Sequence, residues 1–130
     1  MKLATLKKGR DGELIVVSRD LSRAVRATDI AATLQQAVEN WSSLAPRLEQ
    51  RYAELNDGKA EGAFDLDQGK LHSPLPRSYH WADGSAYLNH VKLVRQARNA
   101  EMPETFWTDP LMYQGGGDKF LAPTEDIEAV

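Results

Sequence analysis

Residues 2–27 read KLATLKKGRDGELIVVSRDLSRAVRA, and this stretch decides the fold of the N-terminal half. Two short apolar segments, 2–6 and 14–18, flank the polar, glycine-bearing segment 7–12. Short apolar runs separated by such a turn are typical of a β-hairpin. Residues 24–27 can add a third short strand. The pattern therefore predicts a small antiparallel sheet near the N-terminus.

Two amphipathic segments follow this sheet. Apolar residues recur at helical spacing over residues 30–41, and either Thr28 or Asp29 can cap the start of that helix. The same periodicity continues over residues 44–55. Pro46 would stand in the first turn, where a proline removes no intrahelical hydrogen bond. We expect both helices to pack on the small sheet.

The segment 59–70, KAEGAFDLDQGK, contains glycine and charge but little periodicity, and we interpret it as a linker. The chain then divides into an N-terminal domain with its linker, 1–70, and a second part, 71–130. The predicted fold class is α+β, beginning with the small sheet and its two helices.

Composition excludes several classes of protein. The chain has 16 Lys and Arg against 19 Asp and Glu and no basic block, which argues against nucleic-acid binding. Its apolar runs are too short to cross a bilayer, and its N-terminus lacks a signal-peptide pattern. The absence of Cys excludes thiol catalysis and fits a reducing compartment. We therefore expect a cytoplasmic protein without nucleic-acid or membrane partners.

The polar residues that could carry chemistry lie between positions 83 and 113. Residues 83–98 predict one helix that begins at a cap, either Asp83 or Ser85. His90 follows Asp83 by seven residues, or two helical turns, so the two side chains would project in similar directions. Spacing alone leaves two interpretations open, namely a capped helix with a partly buried histidine, or a polar functional site.

Four short motifs occur in order through this region. They are DGSAYLNH at 83–90, AEMP at 100–103, FW at 106–107 and LMYQGG at 111–116. With their spacing, they resemble the N-terminal portion of the fumarylacetoacetate hydrolase family, in particular bacterial fumarylacetoacetases with a short N-terminal domain. The resemblance extends more loosely over the whole chain and corresponds only to the first part of such an enzyme.

The resemblance implies roles for individual residues. Asp83 matches a metal-ligating carboxylate, and His90 matches the general base that activates water. Tyr113 matches a substrate-contacting tyrosine, and Arg98 lies close to an arginine that holds the substrate, although Arg95 remains a competitor for that role. The implied cofactor is a divalent metal ion, Mg²⁺ or Ca²⁺. The implied reaction is hydrolysis of a carbon–carbon bond in a diketone or oxo-acid substrate.

The same resemblance implies that residues 71–130 are the beginning of a truncated mixed β-rich catalytic domain and that the site is incomplete. Many smaller family members carry a Glu three residues after the histidine, where this chain has Leu93. The family's Glu-x-Glu pair, later Asp, Lys and Gln would fall beyond residue 130. A single carboxylate does not hold Mg²⁺ or Ca²⁺ with useful affinity. We therefore expect an inactive N-terminal fragment in which Asp83 and His90 are exposed and strands after Phe106 lack partners.

Two other interpretations remain open. The chain can be a free-standing, non-catalytic binding or regulatory module derived from the family, in which case we expect a cooperative melt and no open sheet edge. It can also be an unrelated soluble protein of helices and strands. Because family members are commonly dimers, a homodimer is expected for the full-length protein.

Overall fold

The structure is a computed structural model that describes residues 1–128. Its described part contains two sheets and three α-helices, which confirms the α+β prediction. The strands are β1 (Lys2–Leu6), β2 (Glu13–Val17), β3 (Arg23–Arg26), β4 (Phe64–Asp65), β5 (Trp81–Ser85) and β6 (Leu111–Gly115). The α-helices are α1 (Leu34–Glu39), α2 (Trp41–Asn56) and α3 (Leu88–Ala97). Met1–Ser78 and the described residues from Asp118 onward form one compact unit, and Tyr79–Gly117 forms a second.

The first unit contains an antiparallel sheet in the order β1-β2-β3-β4. Its first three strands confirm the predicted hairpin and third strand. Gly12, in the turn between β1 and β2, has a φ of +69°. A β-carbon there would overlap the Thr5 side chain and lie 2.6 Å from the Leu6 carbonyl oxygen, so this turn position requires glycine.

The segment 59–70 is part of this sheet, so its interpretation as a linker was wrong. Phe64 pairs with Ala24 across β3 and β4. The chain then crosses one face of the sheet and reaches the opposite edge, where Leu71 forms a β-bridge with Leu6. The segment lacks periodicity because its strand is only two residues long.

Apolar side chains are buried on both faces of the sheet, because β2 alternates its residues between them. On one face, Leu14, Val16 and Val25 pack with Ala37, Leu48 and Leu55 of the two helices, as predicted. On the other face, the covering side chains come from strands and from residues 64–71, which we call the crossing segment. They are Leu6, Phe64, Leu66 and Leu71, which lie over Ile15, Val17 and Ala24.

The first helix begins later than predicted. The Thr33 hydroxyl, rather than the side chain of Thr28 or Asp29, caps α1 by accepting a hydrogen bond from the Gln36 N–H at 3.2 Å. Residues 27–32 do not continue the helix because their backbone is bound to β2: the Ala27 N–H donates to the Leu14 carbonyl, and the Leu14 N–H donates to the Ala32 carbonyl.

The second helix, by contrast, begins earlier than predicted. Because α2 starts at Trp41, Pro46 lies in its second turn instead of its first. Proline has no N–H to donate to the carbonyl four residues back, so this turn has one intrahelical bond fewer. The helix ends at Asn56, and Gly58 follows in the left-handed region with a φ of +73°.

A later segment of the chain completes the first unit. The Phe120 N–H donates to the Pro76 carbonyl at 2.9 Å, and Ala122 is buried. Lys7 and Glu125 form a salt bridge of 3.9 Å. The first unit is therefore discontinuous in sequence.

The second unit consists mainly of β5, α3 and β6. β5 and β6 are antiparallel, with Trp81 opposite Gly115 and Asp83 opposite Tyr113. Two predictions are corrected here: Asp83 lies in a strand instead of capping a helix, and the strand after Phe106 has a partner. The helix begins only at Leu88 because residues 81–85 are held extended by their pairing with β6. Across residues 1–128, no helix is long and apolar enough to cross a membrane.

Candidate functional site

An open cavity of about 600 Å³ lies in the second unit, between one face of the β5–β6 ribbon and one face of α3. All the side chains assigned to a site from the sequence line it. The lining residues are Asp83, Ser85, His90, Val91, Val94, Arg95, Arg98, Ala100, Leu111 and Tyr113.

The ribbon contributes side chains from alternate positions. Residues two apart in a strand share a face, so Asp83 and Ser85 of β5 project to one side. Tyr113 stands directly opposite Asp83 in the antiparallel register, and Leu111 stands opposite Ser85. Directly opposed residues have neighbouring side chains, which places the acidic and phenolic groups side by side.

The helix contributes residues on successive turns. His90, Val94 and Arg98 are four residues apart, so they lie above one another on the same face of α3. The sequence predicted that Asp83 and His90 would project in similar directions from one helix. The structure instead brings Asp83 from a strand and His90 from the following helix to one cavity.

The site side chains are accessible to solvent. Asp83, His90, Arg98 and Tyr113 are all exposed, with Tyr113 at 64 % of its full accessibility. Exposure of Asp83 and His90 is what the fragment interpretation predicts. Beneath them, Val91 is 5 % exposed and forms the apolar floor of the cavity.

Hydrogen bonding distinguishes the two arginines. Arg95 is half-buried, and its Nη1 donates to the Glu101 carbonyl at 2.8 Å. Arg98 is exposed, and none of residues 1–128 forms a hydrogen bond or salt bridge with its guanidinium group. Of the two arginines, Arg98 therefore has all five of its N–H donors available to a ligand.

The charges around the cavity favour an anion. Arg95 and Arg98 contribute two positive charges, and Asp83 is the single carboxylate among the lining residues. Arginine binds a carboxylate through two parallel hydrogen bonds, and the Tyr113 hydroxyl can donate a third. A carboxylate-bearing small molecule matches this set of donors.

The described residues do not by themselves fit a divalent ion. Mg²⁺ and Ca²⁺ take six or more oxygen ligands, usually including several carboxylates. Asp83 supplies one carboxylate, and within residues 1–128 there is no group of three or more His, Asp and Glu side chains that could hold a metal ion. A metal site at Asp83 would need ligands from other residues.

Several residues at the site were not assigned from the sequence, and three of them lie on the ribbon. Ser85 and Leu111 line the cavity at the end of the ribbon, and Trp81 lies against Tyr113. The alternation Trp81-x-Asp83-x-Ser85 was the available signal, since it places these three side chains on one strand face. The prediction of a single helix over residues 83–98 excludes this alternation.

The chain therefore combines a small α+β domain with a second unit in which one carboxylate, one imidazole and two guanidinium groups surround a cavity. The family model for the fumarylacetoacetase N-terminal domain 2 matches residues 1–77. This match covers more than half of the chain, which therefore belongs to that family. The resemblance to the N-terminal portion of the fumarylacetoacetate hydrolase family is thereby confirmed. No curated protein matches the chain.

The family match and the cavity occupy different parts of the sequence. The match ends at residue 77, whereas the first lining residue is Asp83. Family membership thus applies to the N-terminal domain. The structure places Asp83, His90, Arg98 and Tyr113 around one cavity, and their individual roles stay predictions from the resemblance.

Proposed function

We propose that the chain is the N-terminal part of a metal-dependent hydrolase that cleaves a carbon–carbon bond in a β-diketone or oxo-acid substrate. Residues 79–117 would then be the beginning of the catalytic domain. The observation that carries this proposal is that Asp83, His90 and Tyr113, which match the family's motifs, line one cavity together with Arg98, which lies close to the position of a family arginine. We propose that such an enzyme is cytoplasmic and, at full length, dimeric.

In this proposal, Arg98 and Tyr113 bind the carboxylate of the substrate. The guanidinium group is exposed and available, and the phenol stands across the cavity on the ribbon. A planar guanidinium matches a carboxylate through two charge-assisted hydrogen bonds, which fix orientation as well as position. The carbonyl groups of the substrate would consequently be held at a constant distance from His90.

His90 acts as the general base. Its imidazole takes a proton from water, and the resulting hydroxide forms a bond to a carbonyl carbon of the substrate. The bond between that carbon and the neighbouring carbon then breaks, and its electron pair leaves with the neighbouring carbon. Proton return to this carbanion yields one carboxylic acid and one ketone or oxo acid.

Asp83 is proposed as one ligand of the metal ion. The described residues lack a complete ligand set, so the other oxygen ligands would come from elsewhere. For this reason we propose that the 130-residue chain is inactive by itself.

Binding and cleavage by the chain can be tested separately. Acetopyruvate, a small β-diketo acid, is titrated into the ¹⁵N-labelled chain, and its cleavage is followed by loss of diketone absorbance with Mg²⁺ or Ca²⁺ present. We expect shifts of the signals from the cavity residues and no cleavage. Cleavage by the chain alone would contradict the proposal that its site is incomplete. If His90→Asn left that cleavage unchanged, the role of His90 as general base would be contradicted as well.

The same assay applies to a longer protein that carries this chain as its N-terminal part. There we expect metal-dependent cleavage that His90→Asn abolishes while acetopyruvate binding is retained. Loss of binding and cleavage together in His90→Asn would instead assign His90 to substrate binding.

A free-standing binding module is the second candidate, and the sheet of the first unit favours it. The crossing segment leaves that sheet with only short edges, because the two-residue strand β4 pairs with β3 at one edge and Leu71 bridges to Leu6 at the other. Short edge strands avoid unwanted pairing and suit an independent domain. Acetopyruvate binding without cleavage, by the chain and by any longer product, would favour the module over the enzyme.

A further inference from the structure

We propose that Trp81 and Gly115 form a positioning pair that orients the Tyr113 ring toward the cavity. The inference rests on the proposed function in one respect, since it takes Tyr113 as a substrate contact. It adds a residue outside the cavity lining that would act on the substrate only through Tyr113.

The first observation is the fit of the Trp81 ring over Gly115. The two residues are directly opposite in the β5–β6 register. A β-carbon on Gly115 would overlap Cε3 of the Trp81 ring and lie 2.5 Å from Cζ3. Glycine in a strand often marks such a close approach. The ring therefore occupies the space in which any other residue would place its side chain.

The second observation is the contact between Trp81 and Tyr113. Their ring centroids are 5.7 Å apart with an interplanar angle of 80°, which is an edge-to-face arrangement. Aromatic pairs prefer this geometry because the positive edge of one ring meets the negative face of the other. Trp81 is 38 % exposed although it lies in a ribbon of two strands, whereas Tyr113 is 64 % exposed.

These two contacts have a joint consequence for the phenol. An exposed tyrosine on a two-stranded ribbon ordinarily samples several rotamers. Because Gly115 has no side chain, the Trp81 ring packs over it and contacts one side of the Tyr113 ring. Trp81 is not among the residues that line the cavity, so it acts as a positioning residue and not as a ligand contact.

Orientation of the phenol matters because a hydrogen bond is directional. A hydroxyl that is already held where the carboxylate binds contributes the full free energy of its hydrogen bond to binding. A hydroxyl that samples several rotamers contributes less, because ordering its side chain costs entropy. Loss of the contact between Trp81 and Tyr113 should therefore weaken carboxylate binding, although no group that touches the ligand is removed.

Two adjacent glycines provide a matched test. Neither Gly115 nor Gly116 has a positive φ, so alanine is compatible with the backbone at both positions. An added β-carbon at Gly116 has no atom within 4 Å, whereas at Gly115 it overlaps Trp81. Gly115→Ala should displace the indole, and Gly116→Ala should leave it in place.

Each variant of the chain is examined by NMR, alone and with acetopyruvate. For Gly115→Ala we expect loss of the nuclear Overhauser contacts between the Trp81 and Tyr113 rings. We also expect a rise in the Kd for acetopyruvate of about two- to tenfold, the range that an aromatic pair is worth. Gly116→Ala should leave the ring contacts and the Kd for acetopyruvate at their wild-type values. Unchanged amide shifts of α3 verify that each variant is folded.

A double-mutant cycle separates positioning from a general structural role. Trp81→Leu should raise the Kd in the wild-type background and have no further effect in a Tyr113→Leu background. Equal effects in both backgrounds would overturn the proposal, because Trp81 would then act without Tyr113. An unchanged Kd in Gly115→Ala after loss of the ring contacts would overturn it as well.

Failure of the proposed function has a different signature. If the wild-type chain binds no acetopyruvate, the assigned substrate class is wrong. The proposal that Trp81 and Gly115 position Tyr113 is then tested by the ring contacts alone. Loss of these contacts in Gly115→Ala would support it, and their persistence would contradict it.

Discussion

At the scale of single residues, the two cavity arginines differ in what already occupies their donors. Arg98 is exposed and available, whereas Arg95 is half-buried and bound to the Glu101 carbonyl. We expect Arg98→Gln to raise the Kd for acetopyruvate at least about tenfold, since a hydrogen bond to a charged group contributes about 1.5–3 kcal/mol. We expect Arg95→Gln to act on stability, lowering it by about 1 kcal/mol.

Calorimetric titration and thermal melts measure these two effects independently. The sequence motifs could not choose between the two positions because both lie on the same face of α3, and the choice depends on a contact with the backbone at residue 101. A larger loss of affinity in Arg95→Gln than in Arg98→Gln would reverse the assignment.

Asp20, in the turn between β2 and β3, makes the first unit sensitive to acid. The Ser18 hydroxyl, followed by the Ser22 hydroxyl and N–H, donates hydrogen bonds to this carboxylate and lowers its pKa from 3.8 to about 2. A pKa that is depressed in the folded state stabilises the fold above the unfolded value. That contribution is lost as the pH falls from about 3.8 through about 2.

Asp20→Asn removes this ionisation while keeping a similar side-chain shape. We therefore expect the variant to lose less stability than the wild type between pH 4 and pH 2, as measured by urea unfolding at each pH. The residual loss should come from the other carboxyl groups whose pKa values are lowered by hydrogen bonds. They are Asp11, Asp29, Glu13 and Glu125, and their first-named donors are Arg77, Arg51, Lys8 and the Ala122 N–H respectively. Identical slopes for variant and wild type would show that Asp20 titrates alike in both states.

At the scale of helices and strands, local sequence patterns predicted which elements form more accurately than the residues at which they begin and end. The β1–β2 hairpin follows from alternation and a glycine turn, which are local properties. The caps were misplaced because the backbone bonds from residues 27–32 to Leu14 connect positions distant in sequence. Asp83 was misplaced for the same reason, since its strand exists through pairing with residues 111–115.

The position of the first helix cap can be measured directly. We expect Thr33→Ala to destabilise the chain by about 1 kcal/mol, because it removes the hydroxyl that accepts from the Gln36 N–H. Thr28→Ala is the matched control, since Thr28 is exposed and its substitution should stay within about 0.5 kcal/mol. Denaturant unfolding of both variants decides between the two caps, and a larger effect at Thr28 would restore the cap predicted from the sequence.

At the scale of the whole chain, the two units differ in how completely they bury their apolar residues. The first unit has apolar clusters on both faces of its sheet. In the second, Val91 and Phe106 are the buried hydrophobic residues, while Trp107 is 76 % exposed. The motifs of the second unit predicted residues that line one cavity, whereas the pairing of residues 64–71 with the first sheet carried no local signal.

The closed core of the first unit leads to the last prediction. The Phe120 N–H and the Pro76 carbonyl are 2.9 Å apart, so the two points at which the chain leaves and re-enters this unit are adjacent. A short Gly-Ser linker can replace residues 79–117 without stretching the backbone. We expect the shortened chain to unfold cooperatively, because both faces of its sheet remain covered.

Calorimetry and circular dichroism measure this transition, and removal of residues 118–128 from the shortened chain provides the control. That deletion takes away the buried Ala122, the bond to Pro76 and the Glu125 salt bridge, so its melting temperature should fall. If the shortened chain with residues 118–128 retained instead melted without cooperativity, the first unit would depend on residues 79–117 for its stability. The chain would then have to be treated as a single folding unit, with its candidate site an integral part of the fold.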